Sequence, residues 1–110
     1  MSKWDETLKF YDKLVSQCPD FERKGKKMIF TSDNGYMFSL LNKAGEIGIR
    51  LPKETAKVFL ETYKDSGEYR SYGAKMKDYV LVPETLYKNP EVIIKYLKKS
   101  HAYVLSLPKK

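Results

Sequence analysis

The sequence predicts an α+β fold of two layers, in which helices pack on an antiparallel five-stranded sheet. Residues 25–51 contain three short apolar runs separated by two turn signals, which is typical of an antiparallel meander. Apolar residues recur at helical spacing on both sides of this meander and again near the end of the chain. A further pair of strand-like runs follows the second helical segment. The predicted element order is therefore α-β-β-β-α-β-β-α.

The first helix is predicted over residues 3–17. Its apolar positions recur at spacings of three and four, so they share one face of a helix, and Pro19 follows as a terminator. The residues of this predicted inner face are Trp4, Leu8, Tyr11, Leu14, Val15 and Cys18.

The meander follows, with turns at Asp33-Asn34-Gly35 and at Lys43-Ala44-Gly45-Glu46. Its middle strand, residues 36–41, carries apolar groups on both faces, which favours a central place in the sheet. The third strand, residues 46–51, alternates cleanly, so its apolar positions are expected to face the core. These positions are Ile47, Ile49 and Leu51.

The second helix is predicted to begin at Pro52 and to continue to about Lys64, where proline suits the first turn. Its predicted apolar face consists of Ala56, Phe59, Leu60 and Tyr63. A hairpin is then expected, with strands at residues 68–72 and 78–82 joined through residues 73–77.

The last helix is predicted over residues 90–107, with Asn89 as its cap and Pro90 at its first position. Its expected inner face consists of Ile93, Tyr96, Leu97, Ser100, Val104 and Leu107. His101 is expected on the helix surface.

Length and composition favour one globular domain over residues 1–110. The chain has 42% hydrophobic and 32% charged residues, and it shows neither a fixed-period repeat nor a low-complexity run. Its acidic first residues and the lack of an apolar leader favour the cytoplasm. Cys18 is the only cysteine, which excludes an internal disulfide and any cysteine-based zinc site.

Four segments together carry a resemblance to a known family. They are Gly25-Lys26-Lys27-Met28, Gly35-Tyr36-Met37-Phe38-Ser39-Leu40, Ile49-Arg50-Leu51-Pro52 and Met76-Lys77-Asp78-Tyr79-Val80-Leu81-Val82-Pro83. In their order and spacing, over about residues 4–107, they resemble the N-terminal domain of the TfoX/Sxy regulators of bacterial natural competence. The resemblance implies a regulatory role and a two-layer fold similar to secretion-chaperone-like domains. It establishes no catalytic residues.

The chain has few of the residues that catalysis and metal binding commonly use, with one cysteine and one histidine. Cys18 and His101 are the single thiol and the single imidazole, so a nucleophile and its base would have to be this pair. One histidine and one cysteine also leave only carboxylates to complete a metal site. We therefore expect a protein that is not an enzyme and that needs no metal or other cofactor.

The densest basic cluster is a candidate contact for phosphate or for a partner. The chain carries a formal charge of +7, and four cations lie within residues 23–27. If the loops lie at one end of the sheet, two more lysines extend the cluster. One reading is attraction to nucleic-acid phosphates, and the other is a solvated edge strand that lysines protect from aggregation. The candidate residues are Arg23, Lys24, Lys26, Lys27, Lys75 and Lys77.

Protein interaction is the leading functional hypothesis. Helices on one face of a sheet leave the other face open, and residues 36–41 carry apolar groups on both faces. A second copy in a dimer, or another protein, would then cover the open face. Nucleic-acid binding is the alternative, and a membrane partner is not expected because no apolar run is long enough to span a bilayer.

Overall fold

The computed structural model describes residues 3–26, 28–71 and 74–109, with the backbone alone at positions 68, 71, 74 and 77. Three α-helices, five strands and a 3₁₀ helix follow one another in these ranges. They are α1 (Lys3–Ser16), β1 (Ile29–Asp33), β2 (Tyr36–Leu41), β3 (Ile47–Arg50), α2 (Lys53–Thr62), β4 (Glu68–Ser71), β5 (Ala74–Leu81), the 3₁₀ helix (Glu84–Lys88) and α3 (Pro90–Ser106).

The α+β class is confirmed, with helices packed on an antiparallel sheet. The strands lie in the order β1-β2-β3-β5-β4, and each neighbouring pair is antiparallel. Strand β2 therefore lies between two others, as its two-sided apolar pattern predicts. The 3₁₀ helix after Pro83 was not predicted.

Asp78 of strand β5 has a positive φ of +73°. Residues 79–81 pair with β3, and residues 74, 75 and 80 pair with β4, where the register shifts between Glu68 and Arg70. The prediction of a loop over residues 73–77 is therefore wrong for residues 74–77, which belong to the strand. Residues 72 and 73, the predicted end of one strand and start of that loop, lie outside the described residues.

One hydrophobic core joins α1, α3 and the sheet. Tyr11, Leu14 and Val15 of α1, and the predicted inward positions of β3, are all buried. Within α3, Ile93, Leu97, Ser100 and Val104 are buried as predicted, whereas Tyr96 and Leu107 are half-buried. The spacing rule therefore located the centre of each helical face better than its edges.

Buried hydroxyl groups in this core have hydrogen-bond partners. The Tyr11 hydroxyl lies 2.6 Å from Ser39 Oγ, and Ser39 also hydrogen-bonds the Thr31 hydroxyl. Burial raises the pKa of Tyr11, so its hydroxyl stays protonated. The polar residue on β2 is thus matched by partners from α1 and β1.

Two sequence predictions about helix faces are wrong. Leu60 is 42% exposed, because it lies at the edge of the α2 stripe while Phe59 points into the core. His101 is only 8% exposed, and its ring packs on Phe21 and Phe38 with centroid distances of 4.9 and 5.3 Å. Its polar side chain is accommodated because Nε2 lies 2.7 Å from Asp33 Oδ2.

The second face of the sheet is covered by the chain itself near Leu40, in contrast to the open face that we expected. Tyr69 of β4 is buried over Gly48, and its hydroxyl donates to the Leu40 and Glu46 carbonyls at 3.1 and 3.0 Å. The Asn42 amide also donates to the Arg70 carbonyl at 2.7 Å. These contacts join β4, the edge strand, to the end of β2 and to the start of β3.

The turn between β1 and β2 is attached to the end of α3. Asn34 has φ +55°, and its Nδ2 donates to the Val104 and Leu107 carbonyls at 2.9 and 2.8 Å. These carbonyls lie at the C-terminal end of the helix, where backbone acceptors lack partners within the helix. The predicted Asp33-Asn34-Gly35 turn is therefore also a helix cap.

Candidate interaction surface

A shallow depression of about 300 Å³ lies between α2 and α3. We call it the α2–α3 surface, and its lining residues are Glu54, Thr55, Val58, Tyr96 and Lys99. Spacings of three and four place the α2 members on one side of that helix. The surface thus combines an apolar side chain, an aromatic ring and charged groups of both signs.

The ring of Tyr96 is fixed in place by its neighbours. It packs edge-on against the buried Phe59 at a centroid distance of 5.0 Å and against Tyr63 at 6.4 Å. Lys99 Nζ lies 5.6 Å from the Tyr96 ring centroid, within the range of a cation–π contact. Tyr96 is therefore a rigid aromatic group at the protein surface.

Val58 distinguishes this surface from the rest of the described chain. Val58 is 55% exposed, and among the described residues the other exposed large hydrophobic side chains are Leu60 at 42% and Leu105 at 50%. Val58 lines a depression together with the Tyr96 ring. Exposed apolar groups beside aromatic rings are typical of binding surfaces.

Further along α3, an arginine lies between two tyrosines. The Arg50 guanidinium carbon is 5.4 Å from the Tyr36 ring centroid and 5.7 Å from that of Tyr103. We call Arg50, Tyr36 and Tyr103 the Arg50 site. Tyr96, Lys99 and Tyr103 are spaced by three and four positions, so they follow one side of α3.

The candidate basic cluster is partly engaged in contacts within the chain. Arg23 pairs with Asp12 through Nε to Oδ1 at 2.8 Å, and its Nη1 donates to the Gly25 carbonyl at 2.6 Å. Lys24 Nζ lies 3.0 Å from Ser32 Oγ and 3.2 Å from the Ser32 carbonyl oxygen. The hydrogen bond to Asp12 raises the pKa of Arg23. These contacts hold both side chains against the chain itself.

The structure describes only two of the remaining side chains of the cluster. Lys26 and Lys75 are exposed, Lys27 lies outside the described residues, and the side chain of Lys77 is likewise undescribed. Lys75 is opposite Arg70 in the β4–β5 pair, and the Arg70 carbonyl is bonded to Asn42. The placement of Lys75 beside residues 23–26 stays a prediction.

Cys18 and His101 have separate partners. Cys18 is buried, its thiol faces the Leu14 carbonyl at 3.6 Å, and burial raises the pKa of the thiol. His101 is bonded to Asp33, and that hydrogen bond lowers the pKa of the Asp33 carboxyl. Neither of these two contacts joins the thiol to the imidazole. A groove of about 380 Å³ lies beside Cys18, and Asp12, Phe21 and Arg23 are among its lining residues.

Sequence reasoning missed both the α2–α3 surface and the Arg50 site. Val58 lies off the predicted apolar face of α2, and this was the available signal, since an apolar residue on the polar side of a helix is exposed. The placing of Arg50 against α3 depends on tertiary packing, which spacing along the chain does not encode.

Comparison with known proteins assigns the chain to no family. Neither a family model nor a curated protein matches the chain. In the described ranges, no three His, Cys, Asp or Glu side chains form a group that could hold a metal ion. Among the helices described, none has the length and apolar character needed to cross a membrane.

Proposed function

We propose that this chain is a small, non-enzymatic protein-interaction domain whose α2–α3 surface binds a segment of a partner protein. The observation that carries the proposal is the exposure of Val58 beside Tyr96, a ring that the buried Phe59 holds in place. A partner residue that covers Val58 removes apolar surface from water. Because Tyr96 is already ordered, little conformational entropy is lost on binding.

The charge of the protein indicates the chemistry of the partner. The chain carries +7 overall, and Lys99 at the surface and Arg50 further along α3 are both cationic. An acidic segment with apolar side chains is complementary to this combination. Glu54 lines the same surface from α2 and disfavours a continuous run of acids there.

The proposal retains the resemblance to the TfoX N-terminal domain as a hypothesis. A regulatory role in the cytoplasm, and an architecture related to secretion-chaperone-like domains with a five-stranded sheet, are part of that hypothesis. What supports it is the agreement in the order of helices and strands. Self-association through the same surface is an alternative form of the interaction.

Selection from a library of random peptides displayed on phage tests the proposed surface. Val58→Asp should weaken binding of the recovered peptides by at least about tenfold, because it places a charge in the apolar contact. Leu105→Asp is a matched control, since Leu105 is similarly exposed at 50% but lies elsewhere. Peptides that tolerate Val58→Asp, or that lose binding equally in both variants, would contradict the proposal, as would a library that yields none.

Nucleic-acid binding is the second candidate, and the +7 charge with the exposed Lys24, Lys26 and Lys75 is the observation that favours it. The intramolecular contacts of Arg23 and Lys24 count against it, because phosphates would have to replace existing partners. Binding to nucleic acid weakens steeply as the salt concentration rises, and this dependence separates the second candidate function from the first.

A further inference from the structure

The Arg50 side chain has a buried nitrogen that lacks a hydrogen-bond acceptor. Its Nε is buried, no atom accepts a hydrogen bond from it, and it is the one side-chain atom of this kind in the described part of the chain. Arg23 provides a contrast, because its Nε reaches Asp12 at 2.8 Å. A buried donor without an acceptor is destabilising, so a group that supplies an acceptor gains free energy there.

Hydrogen bonds fix the Arg50 backbone and one of the two rings beside its side chain. The Ser100 hydroxyl donates to the Arg50 carbonyl, which ties the end of β3 to α3. The Tyr36 hydroxyl donates to the Pro108 carbonyl at 2.7 Å, so one aromatic wall is held in place. The second wall, Tyr103, is half-buried on α3. Arg50 is thus presented between one tethered ring and one ring at the helix surface.

We infer that Arg50 binds a carboxylate of the partner segment, which deepens and rests on the proposed function of the α2–α3 surface. Guanidinium and carboxylate groups are planar and pair through two parallel hydrogen bonds, which fits an arginine held between flat rings. The carboxylate accepts from Nε once the Tyr103 ring moves outward, since Tyr36 is held by Pro108. The ligand is therefore an aspartate or glutamate side chain of an acidic peptide.

The distance along α3 sets the spacing of the recognised residues. Tyr96 and Tyr103 are seven residues apart, which is about 10 Å along a helix that rises 1.5 Å per residue. An extended peptide covers about 3.3 Å per residue. A peptide whose apolar side chain contacts Val58 and Tyr96 therefore places an acidic residue about three positions away against Arg50.

Nitrogen-detected NMR of the arginine Nε–H groups tests the carboxylate site directly, with acetate as the probe. The chain has three arginines, Arg23, Arg50 and Arg70, and the signal lost in Arg50→Lys assigns Arg50. Acetate should shift the Arg50 signal saturably, and sodium chloride at equal ionic strength should not. The exposed Arg70 serves as the internal reference. A shift no larger than that of Arg70, or a larger shift with inorganic phosphate than with acetate, would overturn the inference.

A second arm uses the recovered peptides and separates the two proposals. Replacing their acidic residues with amides should weaken binding to the natural chain about tenfold and leave binding to Arg50→Gln almost unchanged. The peptides could depend on Val58 while the amide replacements weaken binding equally to the natural chain and to Arg50→Gln. That result would contradict the carboxylate site and leave the interaction function standing. A saturable acetate shift without any Val58-dependent peptide contradicts the interaction function and leaves the carboxylate site standing.

Discussion

Gly48 shows at the scale of one residue how the Tyr69 ring of β4 packs on β3. A Cβ atom at this position would lie 2.4–2.6 Å from three carbons of the Tyr69 ring. Such distances require the ring or the strand to move. The close approach of Tyr69, and with it the hydrogen bonds of its hydroxyl, therefore depends on the missing side chain.

We predict that Gly48→Ala lowers the free energy of unfolding by about 1–3 kcal/mol, the usual effect of overpacking a buried site. Gly67→Ala is the control, because a Cβ there has no neighbour within 4 Å. Its effect should stay within about 1 kcal/mol. Urea unfolding of both variants measures the difference. Equal stabilities would show that the Tyr69 ring does not rest on Gly48.

The Asp33–His101 pair should make stability depend on pH in a defined direction. The hydrogen bond from His101 lowers the folded-state pKa of Asp33, and Lys24 acts in the same direction. Asp33 therefore contributes to stability at pH values above its pKa in the unfolded chain, which is about 3.9. This contribution is lost as the pH falls through the lower pKa of the folded state.

Asp33→Asn tests this sign, since an amide oxygen can still accept the Asn34 N–H that now bonds Oδ1 at 2.7 Å. Unfolding in urea from about pH 6 to about pH 2 should show a difference between the two proteins that shrinks as pH falls. A difference that is constant over this range would contradict the pairing.

At the scale of the element, α2 shows what a spacing pattern can and cannot determine. Its position and its most buried residue, Phe59, follow from the sequence, because apolar groups at three- and four-residue spacing share a face. Leu60 could not be assigned in the same way. Whether the edge of the stripe is covered depends on how the helix is rotated against β5 and α3.

Phe59→Ala should destabilise the fold by about 3–5 kcal/mol, because it removes a buried ring that packs on Tyr63 and Tyr96. Leu60→Ala, one position along, should change stability by no more than about 0.5 kcal/mol. Chemical denaturation of both variants checks the rotation of α2. A larger loss for Leu60→Ala than for Phe59→Ala would reverse the assignment.

His101 and strand β5 show why long-range contacts escape sequence reasoning. His101 follows Leu97 by four positions and precedes Val104 by three, so its burial was consistent with spacing, but its polarity favoured the surface. Its partner, Asp33, is 68 residues away in the chain. The positive φ of Asp78 in β5 likewise has no signal in the neighbouring sequence.

At the scale of the whole molecule, the +7 charge allows two kinds of partner, and salt separates them. Binding to duplex DNA weakens with salt by about 0.9 logarithmic units per neutralised phosphate and per decade of salt. Because Arg23 and Lys24 already have partners in the chain, we predict weak DNA binding at roughly 150 mM salt.

Titration of a fluorescent duplex at two salt concentrations measures this affinity. If these lysines contact phosphates, Lys26→Gln combined with Lys75→Gln should weaken binding about equally on all sequences and reduce its salt dependence. Submicromolar affinity at physiological salt that is lost in this double variant would make nucleic-acid binding the primary function.

The central claim is that α2 and α3 form the binding surface, and mapping a recovered peptide by amide chemical shifts tests it most directly. The peptide should be titrated into the isotope-labelled chain. We predict that the largest shifts fall at Val58 and its neighbours in α2 and at Tyr96, Lys99 and Tyr103 in α3. Largest shifts in residues 23–26 and 75, with α2 and α3 unchanged, would contradict the account.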